Sequence, residues 1–342
     1  MSSILSQTTV KLDQKQSLNS DEMTESMEFI VSGHAADDEM EGFLLALRKK
    51  GETVEEIVAA AKVMRGHSIR LTRDIPDLLD TCGTGGDGLN TLNISTLSAI
   101  VACAAGIRVA KHGNRSISSI SGSADILESL GVKIDLSVEQ LEASLEKTGF
   151  AFFFAPKFHP AMRFASAARK KIQGKTIFNI LGPLSNPAGV SYQVIGVYER
   201  RLVAIVAKAL FSLGLKKALV VHGLEGVDEI SVSSQTFATE LLDGRLIDVE
   251  ITPEACGILR APVEYLRCQS KEEALELALQ VLKGKKGAAL DAICLNAAAA
   301  LYVAGKAASL KDGVNRSRIL LESGAVYKKL EEIILFSKNA GN

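Results

Sequence analysis

Apolar residues recur with two different periods along this chain, and the change of period divides it. From Asn19 to Arg65 the period is helical: Met40, Phe43, Leu44 and Leu47 stand at i, i+3, i+4 and i+7. Arg48-Lys49-Lys50-Gly51 ends that helix, with cations at its negative end and a cap glycine. Thr53-x-x-Glu56 is a capping box for a second helix, whose stripe is Val54, Ile57, Val58, Ala61 and Met64. Residues 1–17 are polar and aperiodic and read as a loose extension. The connection His67 to Asp77 leaves the helical region.

Beyond it, short apolar runs alternate with helical segments. The strand candidates are Leu78–Thr81, Ile107–Ala110, Ala151–Phe154, Gln193–Val197, Ala218–Val221 and Ile230–Val232. Helices are expected between them at Ala124–Leu130 and Val138–Lys147, the latter with a Ser137-x-x-Gln140 box. Alternating strands and helices mean an α/β sheet with helices on its faces. Asp243-Gly244 between Thr236–Leu242 and Arg245–Glu250 is a hairpin signal. A helix-rich tail follows at 271–283, 290–304 and 323–337.

Composition narrows the class. With 47% hydrophobic and 23% charged residues in 342, the chain is globular. Basic and acidic residues balance at 39 against 40, which gives no nucleic-acid surface. Trp is absent and aromatics are 5%, which argues against a stacking platform for single strands. Five cysteines without a C-x-x-C pair read as reduced thiols of a cytoplasmic protein. The N-terminus has no basic and apolar leader, and no apolar run reaches a membrane span.

Four clusters carry chemistry. Asp80-Thr-Cys-Gly-Thr-Gly-Gly-Asp-Gly88 follows an apolar run and leads into Asn93-Ile-Ser-Thr96. Glycines let backbone N–H groups converge on an anion, and a helix opening at Ser95 would add its N-terminal donors. Gly83, Gly85 and Gly88 also spell G-x-G-x-x-G. A dinucleotide site needs an acidic residue about 20 positions on; Arg108 and Lys111 stand there instead. Lys111-His-Gly-Asn-Arg-Ser-Ile-Ser-Ser119, then Ser121-Gly-Ser123, follows the next strand. Its cations, amide and hydroxyls suit a phosphorylated ligand, although a polar loop capping a helix would look similar. Asp228-Glu229 suits magnesium on phosphates, or is a solvated acidic turn. His159-Pro160 through Arg169-Lys170-Lys171 to Asn179-Ile-Leu-Gly-Pro-Leu-Ser-Asn-Pro187 is the fourth; Arg169 could fork onto a carboxylate or end a solvated helix. No nucleophile signature or paired metal-ligand spacing of histidines is present.

Together these clusters resemble the anthranilate phosphoribosyltransferase family over roughly residues 19 to 340. The resemblance rests on Gly83–Asp87, Asn93–Thr96, Lys111–Arg115, Gly122-Ser-Ala-Asp125, Arg169, Asn179–Pro187 and Asp228-Glu229. It implies a small N-terminal helical domain plus a large α/β domain with a mixed central sheet, of the nucleoside phosphorylase/phosphoribosyltransferase type. The expected division is 18–77, completed by helices within about 155–190, against 78–342. It implies Mg2+ as cofactor and a homodimer through the helical domain, with no nucleic acid or membrane partner. Position by position, it implies 5-phosphoribosyl 1-pyrophosphate (PRPP) contacts at Gly83, Gly86, Asp87, Thr91, Asn93, Ile94, Ser95, Thr96, Lys111, His112, Gly113, Asn114, Arg115, Ser116, Ile117, Ser118, Ser119 and Ser123. It implies anthranilate contacts at Gly83, Asn114 and Arg169, with His112 and Pro183 along the acceptor channel. The metal would sit on Ser95, Asp228 and Glu229. Departures are Leu92 where an aromatic is common, Ser116 where Ala is common, and the Lys170–Gly174 segment.

The implied reaction moves phosphoribose from PRPP to the amino group of anthranilate in tryptophan biosynthesis and releases pyrophosphate. No dedicated acid, base or nucleophile is expected, because an aromatic amine is already neutral at pH 7. Rival readings are weaker. A pyrimidine nucleoside phosphorylase would carry a Lys-His-Ser-type segment where Lys111-His112-Gly113-Asn114 stands. A nucleic-acid-binding relative would show a basic cleft and damaged motifs, and a dinucleotide oxidoreductase would need the missing ribose carboxylate.

Overall fold

The computed structural model describes residues 2–86, 88–116, 120–172 and 174–340. Four helices open the chain: α1 (Ile4–Asp13), α2 (Ser20–Val31), α3 (Asp37–Lys50) and α4 (Val54–Gly66). The capping box at Thr53 and Glu56 forms, and Gly51 caps α3 with φ +89°. The expectation of a loose extension over 1–17 is corrected, because α1 buries Leu5, Thr8 and Leu12. Its stripe is hidden in the sequence by a hydroxyl. Thr8 satisfies that group on the Ile4 carbonyl at 2.8 Å and so packs as a small apolar residue. Residues of the later segment Ala165 to Leu184 share one apolar core with α1–α4.

The other body is a seven-stranded sheet: β1 (Leu79–Gly83), β2 (Val109–Gly113), β3 (Phe150–Phe154), β4 (Tyr192–Gly196), β5 (Lys217–Gly223), β6 (Thr236–Leu242) and β7 (Arg245–Ile251). Its order is β3-β2-β1-β4-β5-β6-β7. The first five strands are parallel, and β6 and β7 turn back antiparallel. The hairpin forms at Asp243-Gly244, both with positive φ. Strand alternation divides the core. On β5, Leu219 and Val221 face α5 (Ile94–Ala104) and the helix Ala288–Val303, while Ala218 and Val220 face the opposite core shared with the N-terminal helices. Both faces are covered, which is why these strands read as unbroken apolar runs.

One expected strand is absent. Ile230–Val232 is buried but irregular, because the Ile230 N–H and C=O are both taken by the Asn296 side chain rather than by a strand. A helix at Leu310–Glu322 adds to the tail expected from the pattern. All five cysteines are free and buried. Among the described residues, no helix is long and apolar enough to cross a membrane.

Candidate active site

Strands β1, β2, β4 and β5 end in Gly83, Gly113, Gly196 and Gly223. They are parallel, so these glycines lie along one edge of the sheet, where open α/β sheets bind ligands. The glycine loop leaves β1 there. Its first residue, Thr84, donates its N–H to the Gly196 carbonyl at 2.9 Å, which pins the loop beside β4. Gly85, Gly86 and Gly88 all take positive φ, the conformation that turns successive N–H groups toward a common point. The descending arm is fixed too: Leu92 N–H donates to the Leu266 carbonyl at 2.8 Å, and Thr91 bridges Arg267. Asn93 then caps α5.

The acidic pair meets this loop from the far side of β4. Asp228 Oδ2 accepts the Gly85 N–H at 2.6 Å, and Glu229 Oε1 accepts the Ser95 N–H at 3.1 Å. The two carboxylates therefore sit on the two backbones that the sequence assigns to phosphate. Gly83 makes room for Asp228, since a Cβ there would stand 2.3 Å from Asp228 Oδ2. Asp228 is buried, so the picture of a solvated acidic turn does not hold for it.

Lys111 is fully buried, unusual for a lysine. Its Nζ donates to the Thr81 carbonyl at 2.5 Å and to Ser95 Oγ at 3.4 Å, beneath the start of α5. Behind it lies Asp80, whose Oδ1 accepts the His112 N–H at 3.2 Å and whose Oδ2 accepts Asn186 Nδ2 at 2.8 Å. Burial pushes the Asp80 carboxyl up, opposed by the Lys111 charge and these donors.

The second cluster joins the first through Asn93, whose Nδ2 donates to the Ser121 carbonyl at 2.8 Å. Gly113 packs against Ser123 at the start of α6 (Ser123–Ser129). Asn114 Oδ1 accepts the Arg115 N–H at 2.7 Å. Ser116 N–H donates to Asp125 Oδ2 at 3.0 Å. Arg115 itself pairs with Glu128 and Asp125 on α6. Asp87, Ile117, Ser118 and Ser119 lie outside the described residues.

The fourth sequence cluster is built on the helix Ile177–Leu184. His112 Nδ1 lies 3.2 Å from the Gly182 carbonyl, and its ring is 5.0 Å from that of His159. Burial lowers both imidazoles, to about 3 for His112 and about 4 for His159, so both are neutral at pH 7. Arg169, on the short helix Ser166–Lys171, stands over the Phe178 ring at 5.3 Å. It is half-buried and makes no ion pair with a described residue, whereas Lys171 pairs with Asp38 at the surface. Phe178 and Gly182 are one helical turn apart, about 6 Å along the axis. One short helix thus connects the unpaired guanidinium to the histidine wall.

Residues 75–327 match the glycosyl transferase family, a/b domain, and residues 7–68 match that family's helical bundle domain. An anthranilate phosphoribosyltransferase of Petrotoga mobilis is 45% identical over 327 residues, 96% of this chain and 95% of that protein. The chain belongs to the anthranilate phosphoribosyltransferase family. The anthranilate phosphoribosyltransferase of Thermus thermophilus superposes with a TM-score of 0.89 at 42% identity, covering 96% of this chain and 99% of that one. The Saccharomyces cerevisiae enzyme in complex with PRPP and Mg gives 0.91 at 28% identity over 99% of both chains. Another structure of the yeast anthranilate phosphoribosyltransferase holds 4-fluoroanthranilate.

Three residues of this site escaped the motif reading. Asp80 and Asn186 stand inside quoted motifs but carried no role, because a buried hydrogen bond between distant segments leaves no local pattern. Lys175 is the third. Its Cε would lie 3.1 Å from a Cβ on Gly86, and its ammonium rests over the Tyr198 ring at 3.6 Å.

Proposed function

We propose that the glycine-ended edge of the sheet transfers the phosphoribosyl group of PRPP to the amino group of anthranilate and releases pyrophosphate, the family's step in tryptophan biosynthesis. The observation that carries this reading is the meeting of Asp228 with the Gly85 amide and of Glu229 with the Ser95 amide. It joins a carboxylate pair to the two backbones best shaped for phosphate.

Gly83, Gly86, Asp87, Thr91 and Asn93 to Thr96 would hold the diphosphate and ribose end. Lys111 to Ser119 and Ser123 would complete the PRPP site. The donor set fits magnesium: two carboxylates and the Ser95 hydroxyl are hard oxygen ligands, to which phosphate oxygens and water add. When bound, the ion neutralises charge developing on the departing diphosphate. The chain itself would supply backbone donors aimed at the same oxygens.

Arg169 would fork onto the anthranilate carboxylate, with Asn114 and Gly83 beside the ring. His112, His159 and Pro183 would wall the amine side. The aromatic amine attacks C1′ with its own lone pair as the C1′–O bond breaks and diphosphate leaves with the bonding electrons. Neutral imidazoles suit that step, since no proton has to be removed before attack; the nitrogen, cationic once the bond has formed, then gives up its extra proton to water or to the departing diphosphate. Holding amine and C1′ in line supplies much of the remaining acceleration.

The division at 77/78, with residues 155–190 completing the helical part, and a cytoplasmic location belong to the same proposal. So does a homodimer through the helices. The stripe Met40, Phe43, Leu44 and Leu47 is covered within one chain, so it does not itself call for a partner. Light scattering at micromolar concentration tests the dimer. Loss of anthranilate fluorescence with PRPP and Mg2+ tests the reaction; no loss under saturating substrates would overturn it.

A further inference from the structure

The acidic pair is held from behind by two side chains with no part in the phosphate-holding segments. The loop that carries it leaves β5 and returns to β6, closed at its neck where Leu224 N–H donates to the Gln235 carbonyl at 2.9 Å. Directly after Glu229, the Ile230 N–H donates to Asn296 Oδ1 at 2.9 Å, and the Ile230 carbonyl accepts Asn296 Nδ2 at 2.9 Å. One side-chain amide thus replaces a neighbouring strand.

Asn296 belongs to the helix Ala288–Val303, whose surrounding positions Ile293, Cys294, Leu295, Ala297 and Ala298 are buried and apolar. A primary amide in such a place costs desolvation unless its atoms are bonded. Its Nδ2 also donates to the Ala292 carbonyl at 3.0 Å, which meets that condition. The one polar side chain at the centre of this core helix is therefore spent on the residue next to a carboxylate of the site.

The second hold closes the loop across the pair. The Glu225 carboxylate accepts the hydroxyls of Ser231, Ser233 and Ser234, which lie downstream of Asp228 and Glu229. Glu225 thereby staples the outgoing limb to the returning one.

We propose that Asn296 and Glu225 are positioning residues for Asp228 and Glu229, fixing the loop so that both carboxylates are in place before the ion and diphosphate arrive. The inference rests on the metal role proposed above for that pair. A loop without these holds would have to be ordered on binding, which weakens ion binding without touching the acceptor pocket.

The test is a titration of full-length protein with Mn2+ in the presence of PRPP, reading free ion by its EPR signal, beside a thermal melt and the KM for anthranilate. Asn296→Leu and Glu225→Ala should each weaken Mn2+ binding about tenfold and leave the anthranilate KM unchanged. Glu225→Gln, which keeps an acceptor for the serines, should recover most of the affinity. Wild-type Mn2+ affinity in either folded variant overturns the proposal. So does a Glu225→Gln variant as weak as Glu225→Ala, because charge rather than position would then matter. If Asn296→Leu does not fold, the Glu225 pair decides; if Glu225→Ala also fails to fold, the residues are merely structural and the proposal falls. The variant Asp228→Asn, Glu229→Gln is the reference. If it too binds Mn2+ like wild type, the metal assignment itself has failed, a result distinct from failure of the positioning role alone.

Discussion

The carbonyl oxygen of Asp228 occupies the space where a side chain on Gly196 would begin. A Cβ built on Gly196 would stand 1.5 Å from that oxygen and 2.2 Å from the carbonyl carbon. The end of β4 and the acidic loop are therefore in backbone contact. Gly196→Ala is expected to lift the loop off the strand, costing about 1–3 kcal/mol of stability by overpacking. Turnover should fall more steeply than the melt suggests, with partial recovery at high Mg2+. A variant that matches wild type in rate at every Mg2+ concentration would show that the carboxylates need not stay where they are.

On the proposed reading, Arg169 would bear on the acceptor alone. Arg169→Ala should raise the KM for anthranilate by the loss of a charge-assisted contact, on the order of 1.5–3 kcal/mol, and leave PRPP affinity near normal. Arg169→Lys should restore only part, since an ammonium cannot form the two-pronged contact. Steady-state kinetics with each substrate varied in turn would decide it, and an unchanged anthranilate KM would return Arg169 to the role of a helix-end cation.

The buried histidines set an acid limit on stability. Burial lowers His112 to about 3 and His159 to about 4 in the folded protein, against roughly 6.5 in an unfolded chain. Between those values the unfolded state binds more protons, so stability is complete above about pH 6.5 and declines as pH falls toward 4. His159→Phe should flatten that decline in a series of melts from pH 7 to pH 4. An equally steep decline in the variant would assign it to other groups.

The acid pair itself is expected to have a mixed phenotype. As a solvated acidic turn, neither carboxylate would matter to the core. Yet Asp228 is buried and accepts a loop amide. The double variant Asp228→Asn, Glu229→Gln should therefore lose on the order of 1.5–3 kcal/mol of stability, the worth of a hydrogen bond to a charged group. It should lose far more turnover, regained in part at high Mg2+. Calorimetry beside a magnesium titration of initial rate separates the two losses.

Much of this is legible in the amino-acid sequence. The capping boxes at Thr53 and Ser137, the Asp243-Gly244 hairpin and the glycine loop all announce themselves through short-range chemistry. What stayed hidden depends on partners far along the chain. Ile230 looks like a strand residue because it is apolar and buried, and only Asn296, 66 residues away, explains why it is not one. The helix Leu310–Glu322 escaped notice because Gly313 weakens its pattern. That glycine is there for packing, since a Cβ would stand 2.8 Å from Ala298 Cα. That Arg115 pairs with Glu128 is likewise decided by the fold and leaves no signal in its motif.

Asn186 joins Asp80 to the Ala110 carbonyl, each contact at 2.8 Å and buried. Nearer the histidines, the Pro183 carbonyl is held by Gln193 of β4 at 2.8 Å. The histidine-lined wall is therefore clamped to three adjacent strands by buried bonds, costly to break without a replacement partner. Such a wall works as a fixed ruler and not as a swinging door. If the wall faces the acceptor as proposed, the spacing between amine and sugar would be set when the chain folds, and not anew at each encounter. On that reading, an acceptor with extra bulk beside its amine would meet an unyielding surface, and admitting one would take a change in the wall's own side chains.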